Sequence, residues 1–124
     1  MKINRFEDLE AWQIARELTN QIYAITKKGP TARDYGFMDQ IRRAALSVMN
    51  NIAEGFERES QKENLNFLSY AKGSCGELRC QIYIGMEIEY IPKDVGKKWI
   101  EEAIEISSMI SGLIKTKRGF INKK

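Results

Sequence analysis

Apolar residues recur along this chain at spacings of three and four, over four long segments. At 100° per residue, this spacing collects them on one face of an α-helix. In the first segment the apolar residues fall within an arc of about 100°, the width of a stripe that faces a core. The stripe consists of Ala11, Ile14, Ala15, Leu18, Ile22 and Ile25. The pattern predicts helices over about 6–28, 36–58, 61–90 and 94–117.

The breaks between these segments carry residues that end or begin helices. Gly29 and Pro30 end the first helix, and Ser60 with Glu63 forms a capping box for the third. No segment alternates apolar and polar residues with a period of two over the length of a strand. The chain is therefore predicted to be all-α, an up-down-up-down four-helix bundle over 1–117. Residues 118–124 are predicted to form a basic, flexible tail.

Composition argues against catalysis. The chain lacks histidine, the commonest general base and metal ligand. Cys75 and Cys80 are five apart, which fits neither a redox pair nor a metal site, and about 140° apart on a helix they cannot bridge each other. We therefore predict a non-enzyme without cofactor. The two cysteines are expected to be reduced thiols, and the sequence shows neither a run of 18 apolar residues nor a secretory leader. These features predict a cytoplasmic protein that does not bind membranes.

Positive charge is concentrated at the end of the chain. The net charge is +3, but 115–124 holds five basic residues and no acid, so the other 114 residues carry 15 basic and 17 acidic groups. The five are Lys115, Lys117, Arg118, Lys123 and Lys124. Two interpretations stay open for this segment. It contacts phosphates, or it is a solvated terminus that keeps the protein soluble.

Four strings of residues carry a family resemblance. They are FEDLEAW at 6–12, QIRRAALS at 40–47, NIAEGF at 51–56 and YAKGSCGEL at 70–78. Together they resemble the bacterial four helix bundle protein family, also called the ribosomal-RNA intervening-sequence protein family. Some of its members are encoded inside large-subunit ribosomal RNA genes. The resemblance covers about residues 5–117, nearly the whole chain.

This resemblance implies a left-handed bundle that assembles as a ring, commonly a homopentamer, with no catalytic activity and no cofactor. The fold is also similar to accessory variability proteins of diversity-generating retroelements, which bind nucleic acid and a reverse transcriptase. That second link rests on fold alone. Two functions stay open: association with RNA or DNA, and an adaptor role that docks a protein partner such as a reverse transcriptase.

The polar face of the second helix is one candidate contact surface for nucleic acid or a partner. Its candidate residues are Arg42, Arg43, Asn51, Glu54 and Arg58. The five basic residues at the end of the chain are candidates for the same kind of contact. The alternative is a structural network in which Glu54 pairs with Arg58 at i,i+4.

Apolar residues outside the core arcs form a second candidate surface. They are Trp12, Tyr23, Tyr70, Ile84, Ile88, Ile100 and Ile104. A monomer would expose some of them, so we predict a symmetric subunit interface. The alternative is a wide core in a monomer.

Three glycines interrupt the third helix: Gly73, Gly76 and Gly85. Each destabilises a helix interior by about 1 kcal/mol relative to alanine. We therefore predict that a helix of the same bundle or of another subunit approaches closely there.

Overall fold

Four α-helices account for most of the chain in the computed structural model, which describes residues 3–122, with side chains to Thr116. They are α1 (Glu10–Thr26), α2 (Tyr35–Glu57), α3 (Gln61–Glu87) and α4 (Lys93–Asn122). Two 3-10 helices, Phe6–Asp8 and Gly29–Arg33, flank α1. No strand occurs within residues 3–122, so the prediction of an all-α fold is confirmed there. None of the helices in that range is long and apolar enough to cross a membrane.

The helix ends differ from the predicted bounds in ways that local structure explains. α1 begins at Glu10 instead of near residue 6, because Phe6–Asp8 forms a 3-10 turn and Leu9 is extended. α3 ends at Glu87 because Glu89 adopts a left-handed conformation with φ of 64°. α4 continues to Asn122, past the predicted end near residue 117. Lys123 and Lys124 lie outside the described residues.

Side-chain caps fix where α2 and α3 begin. The Asp34 carboxylate accepts a hydrogen bond of 3.1 Å from the backbone N–H of Phe37. The Ser60 hydroxyl accepts one of 3.4 Å from the backbone N–H of Glu63, which confirms that half of the predicted capping box. The carboxylate of Glu63 lies 3.8 Å from Arg58, on the preceding turn. Both caps satisfy amide groups that the first turn of a helix leaves without partners.

The four helices pack around one apolar core. Each contacts two others: α2 contacts α1 and α3, and α4 contacts α3 and α1. Trp99 is fully buried, and its indole N–H donates a hydrogen bond of 2.9 Å to the Gln21 side chain on α1. The largest buried side chains around it come from every helix: Leu18, Ile22, Ile41, Ile52, Leu78, Ile82, Ile106 and Ile110. Leu18 and Ile22 belong to the core stripe predicted for the first helix.

Ile100 corrects one prediction. The sequence places it outside the core arc of its helix, among the subunit-interface candidates, but only 8% of the residue is exposed and it belongs to the core. The reason is that α4 packs against both α1 and α3. Its buried arc is therefore wide enough to include both Trp99 and Ile100, about 100° apart on the helix.

The glycines of α3 fall into two groups. A Cβ added at Gly85 would lie 2.5 Å from Ile91 Cδ1 and 2.9 Å from Phe37 Cζ, so close packing within the chain requires a glycine there. The close neighbours at Gly85 are side chains, from α2 and from the connection between α3 and α4, and not the backbone of another helix. At Gly73 and Gly76 nothing lies within 4 Å of an added Cβ. Packing within one described chain does not explain those two glycines.

Candidate functional site

An open depression of about 600 Å³ lies on the outer side of α2 and α3. The predicted contact residues Arg43 and Asn51 both line it. The other lining residues are Gln40, Leu46, Ser47, Asn50 and Glu77. Six of these seven residues come from α2, and Glu77 comes from α3. The amphipathic pattern explains this placement, because the apolar face of α2 is buried and its polar face is left outward.

Hydrogen bonds fix the floor of this depression. The hydroxyl oxygens of Ser47 and Ser74 lie 2.8 Å apart and join α2 to α3. The Asn51 side-chain N–H₂ donates to the Ser47 carbonyl at 2.8 Å and to the Ser47 hydroxyl at 3.0 Å. Because the amide nitrogen must face a carbonyl, the orientation of Asn51 is determined. Its side-chain oxygen is left as an acceptor.

Arg43 stands at the rim of the depression in an exposed ion pair. Its Nε lies 3.2 Å from the Asp39 carboxylate, with the two side chains 75% and 63% exposed. Exposed pairs of this kind contribute at most about 1 kcal/mol, so the guanidinium is free to exchange partners. The remaining donors of Arg43 point into solvent and can serve a ligand.

Arg42 has a structural position. Its Nε donates a hydrogen bond of 2.9 Å to the Thr26 hydroxyl, and its guanidinium carbon lies 4.3 Å from the centroid of the Tyr23 ring. These contacts join α1 to α2 and hold both Arg42 and Tyr23 half-buried. Arg42 therefore packs between α1 and α2, whereas its neighbour in sequence, Arg43, is exposed.

Glu54 and Arg58 form the predicted i,i+4 pair, with an Arg58 nitrogen 3.1 Å from the Glu54 carboxylate. The guanidinium of Arg58 also lies 4.9 Å from the centre of the Phe67 ring on α3. Asn64 donates to the backbone carbonyls of Gly55 and Arg58 from the start of α3. This confirms the structural network at the turn between α2 and α3.

The basic segment is described only at its beginning. Lys115 is exposed on α4. The side chains of Lys117 and Arg118 lie outside the described part of the chain, as do Lys123 and Lys124.

Large apolar side chains are exposed on α3 and α4. Four of the predicted interface residues, Tyr70, Ile84, Ile88 and Ile104, are between 47% and 58% exposed. Tyr83 is exposed to a similar degree and was not predicted, because it lies about 100° or more around the helix axis from Tyr70, Ile84 and Ile88. We call these five residues the apolar outer face. Trp12 is half-buried on α1, with the Phe6 ring 5.1 Å away.

The helical wheel of α2 places Gln40 on the same polar face as Arg43 and Asn51, and Gln40 does line the depression. Sequence reasoning missed Glu77, because it lies on α3 and no single helical wheel shows which residues of two helices meet. Its position three residues after Ser74 is the only local signal.

The cysteines offer no reactive pair. Cys75 is buried, and burial raises the pKa of its thiol to about 11, while Cys80 is exposed. Among the residues whose side chains are described, no group of three or more Cys, Asp, Glu or His could hold a metal ion.

The described residues define a small all-helical protein of four packed helices, with an open polar depression and exposed apolar side chains on its surface. The family model described as 23S rRNA-intervening sequence protein matches residues 7–112, and the chain belongs to that family. This confirms the resemblance drawn from the sequence strings.

The chain is also similar to a solved structure. That structure is a protein with unknown function from the S23 ribosomal protein family of Bacteroides thetaiotaomicron VPI-5482, with a TM-score of 0.77 and 20% identity. The match covers 85% of this chain and 95% of the other. At this identity the similarity shows a shared fold. No curated protein matches the sequence.

Proposed function

We propose that this protein is a non-enzymatic, oligomeric four-helix bundle that associates with RNA in the cytoplasm. The observation that carries the proposal is the apolar outer face, because one chain leaves five large apolar side chains exposed on two helices. Exposed apolar patches mark surfaces that associate with other proteins. The RNA part is supported by the family description and by the five basic residues between 115 and 124.

The open glycines of α3 support self-association. Gly73 and Gly76 each cost about 1 kcal/mol relative to alanine in a helix interior. Packing within the described chain does not require either of them. A second copy packed against α3 would explain both, because a missing Cβ lets another helix approach closely.

A ring of copies, with five as the resemblance implies, is part of the proposal. Trp12 and Tyr23 are half-buried on α1, away from the apolar outer face, and provide a second surface with apolar character. A contact between two different surfaces of identical chains is heterologous, and it closes into a ring when the rotation allows.

The proposed bundle has up-down-up-down order and a left-handed turn. Phe37, near the start of α2, contacts Tyr90, just after the end of α3, with ring centroids 5.2 Å apart. Asn64, near the start of α3, donates to Gly55 near the end of α2. These contacts support opposite directions for α2 and α3.

RNA association would use the basic segment that begins at Lys115. Cations that neutralise phosphates release counterions, so binding of this kind weakens steeply with salt. A ring presents several such segments together, and weak single contacts then sum to a useful affinity.

Two measurements test the proposal. Sedimentation velocity at micromolar concentration is expected to show an oligomer for the wild type and a monomer for Ile84→Glu. Tyr35→Glu is the matched control, since Tyr35 is an exposed aromatic on α2 outside the apolar outer face. Fluorescence anisotropy with a structured RNA should show sub-micromolar, salt-dependent binding that is lost when the chain ends at Ile114.

A monomeric wild type, or an oligomeric Ile84→Glu variant, would contradict the assembly surface. Absence of RNA binding at low salt by the full chain would contradict the RNA part.

An adaptor that docks a protein partner, such as a reverse transcriptase, is the second candidate. It is favoured by the pairing of arginines on the described surface: Arg43 lies beside Asp39, and Arg58 beside Glu54. The first 114 residues carry two more acids than bases, which does not favour phosphate. If the oligomer does not bind RNA but binds a purified reverse transcriptase through the apolar outer face, the adaptor function is established instead.

A further inference from the structure

The depression between α2 and α3 presents polar groups whose hydrogen-bonding capacity is not used within the described chain. On α2 these are the side-chain amides of Gln40 and Asn50 and the side-chain oxygen of Asn51. On α3 it is the carboxylate of Glu77. The depression measures about 600 Å³ and is open to solvent.

The two walls are held in fixed positions. The bond between the Ser47 and Ser74 hydroxyls joins the helices at the floor of the depression, at 2.8 Å. Asn51 is fixed by its bonds to Ser47, so its oxygen is oriented before any ligand arrives. A preformed site loses less conformational entropy on binding than one that must order its side chains.

The charges and shape of the site select a neutral, polar ligand. Arg43 at the rim carries a positive charge that is paired with Asp39 at 3.2 Å, and Glu77 carries a negative charge on the opposite helix. A phosphate would be attracted by Arg43 and repelled by Asp39 and Glu77. Leu46, also in the lining, is half-buried and offers an apolar contact for a flat group. These features suit a planar group with donors on one edge and acceptors on another.

We propose that this depression binds a single unpaired guanine base of an RNA strand. Guanine carries adjacent N1–H and N2–H₂ donors, which the Glu77 carboxylate and the Asn51 oxygen can accept. Its O6 and N7 atoms accept from arginine, the commonest specific pairing with this base. Adenine lacks both O6 and the N1–H donor. Proteins read unpaired RNA bases on these same edges. The proposal rests on the RNA association proposed above.

Glu77 lies within about 20° of Tyr70, Ile84 and Ile88 around the axis of α3, so this site borders part of the apolar outer face. Glu77 and Tyr83 lie about 120° apart around the helix axis. Tyr83 borders a second depression, between α3 and α4, together with Lys93 and Lys97. A copy that packs over Tyr83, on the α4 side of α3, leaves Glu77 open to RNA.

The test uses three labelled RNA heptamers, each of uridines around one central guanosine, inosine or adenosine. Inosine is guanosine without the N2 amino group, so it removes one donor. Anisotropy at one salt concentration is expected to show the full-length wild type binding the guanosine heptamer about tenfold more tightly than the other two. Glu77→Gln should abolish the preference and leave the affinity for the adenosine heptamer unchanged. Glu87→Gln, an exposed substitution on the α4 side of α3, should retain the preference.

A second readout needs no RNA strand. Guanosine monophosphate added to ¹⁵N-labelled protein is expected to shift the side-chain amide signals of Gln40, Asn50 and Asn51, and adenosine monophosphate is not.

Equal affinity for the three heptamers overturns the guanine site and leaves the RNA association standing. A guanosine preference that survives Glu77→Gln overturns the assignment to this depression. Loss of all binding at low salt overturns the RNA association as well, so the two failures are distinguishable.

Discussion

The Tyr90 hydroxyl, just before α4, donates a hydrogen bond of 2.9 Å to the Asp34 carboxylate at the start of α2. The same carboxylate accepts from the backbone N–H of Phe37. These two bonds, the backbone one first, hold the pKa of Asp34 below its ordinary value of 3.8. The bond to Asp34 in turn raises the pKa of Tyr90 above its ordinary value of 10.0.

The first prediction concerns pH. A depressed carboxyl pKa contributes stability that is present above 3.8 and is lost as pH falls through the pKa in the folded protein. The raised Tyr90 pKa contributes stability that is present below 10.0 and is lost as pH rises through the folded value. Tyr90→Phe should therefore lower the melting temperature at pH 7, with a smaller difference from wild type at both extremes. Thermal unfolding followed by circular dichroism measures this, and Tyr35→Phe, at an exposed tyrosine, should show no such difference.

The second prediction concerns the packing of Gly85. Gly85→Ala is expected to destabilise the protein by about 1–3 kcal/mol, because the new methyl group would meet Ile91 and Phe37. Gly112→Ala on α4 has open space around the added Cβ and should stabilise the protein by about 1 kcal/mol. Urea unfolding measures both changes at the same protein concentration. Equal effects at the two positions would show that Gly85 is not closely packed.

The third prediction concerns the turn between α2 and α3. Asn64 is buried and donates to the carbonyls of Gly55 and Arg58. Asn64→Ala leaves both without these donors and should cost about 1–3 kcal/mol of unfolding free energy. Asn66→Ala, at an exposed position two residues later, is the control and should change stability by less than about 0.5 kcal/mol. Similar losses in the two variants would remove the structural role given to Asn64.

The fourth prediction separates the two cysteines. Burial raises the pKa of Cys75 to about 11, so at pH 8 its thiol is protonated as well as shielded. Cys80 is exposed and should react with iodoacetamide at that pH, whereas Cys75 should react only after unfolding. Mass spectrometry of peptides from native and denatured samples distinguishes the sites. Labelling of Cys75 in the native protein at a rate similar to Cys80 would show that the core opens locally.

Most of the fold could be predicted because a single physical signal dominates it. The period of 3.6 placed Ile41, Val48 and Ile52 on one face of α2, and all three are buried. The predictions that were wrong or missing concern contacts between helices, which the pattern of a single helix does not show. Ile100 is buried because α4 meets two neighbours, and the depression pairs Glu77 with residues of α2 that lie 26 or more positions earlier in the chain. Arg42 and Arg43 looked alike in sequence, but only the packing of Tyr23 and Thr26 shows which of them is structural.

The two faces of α2 have an evolutionary consequence. Ile41, Ala45 and Val48 support the core, whereas Gln40, Arg43 and Asn50 point away from it. A substitution in the second group changes the chemistry that the surface presents and leaves the core intact. The outward surface can therefore change one position at a time, while selection on folding acts on a separate set of residues.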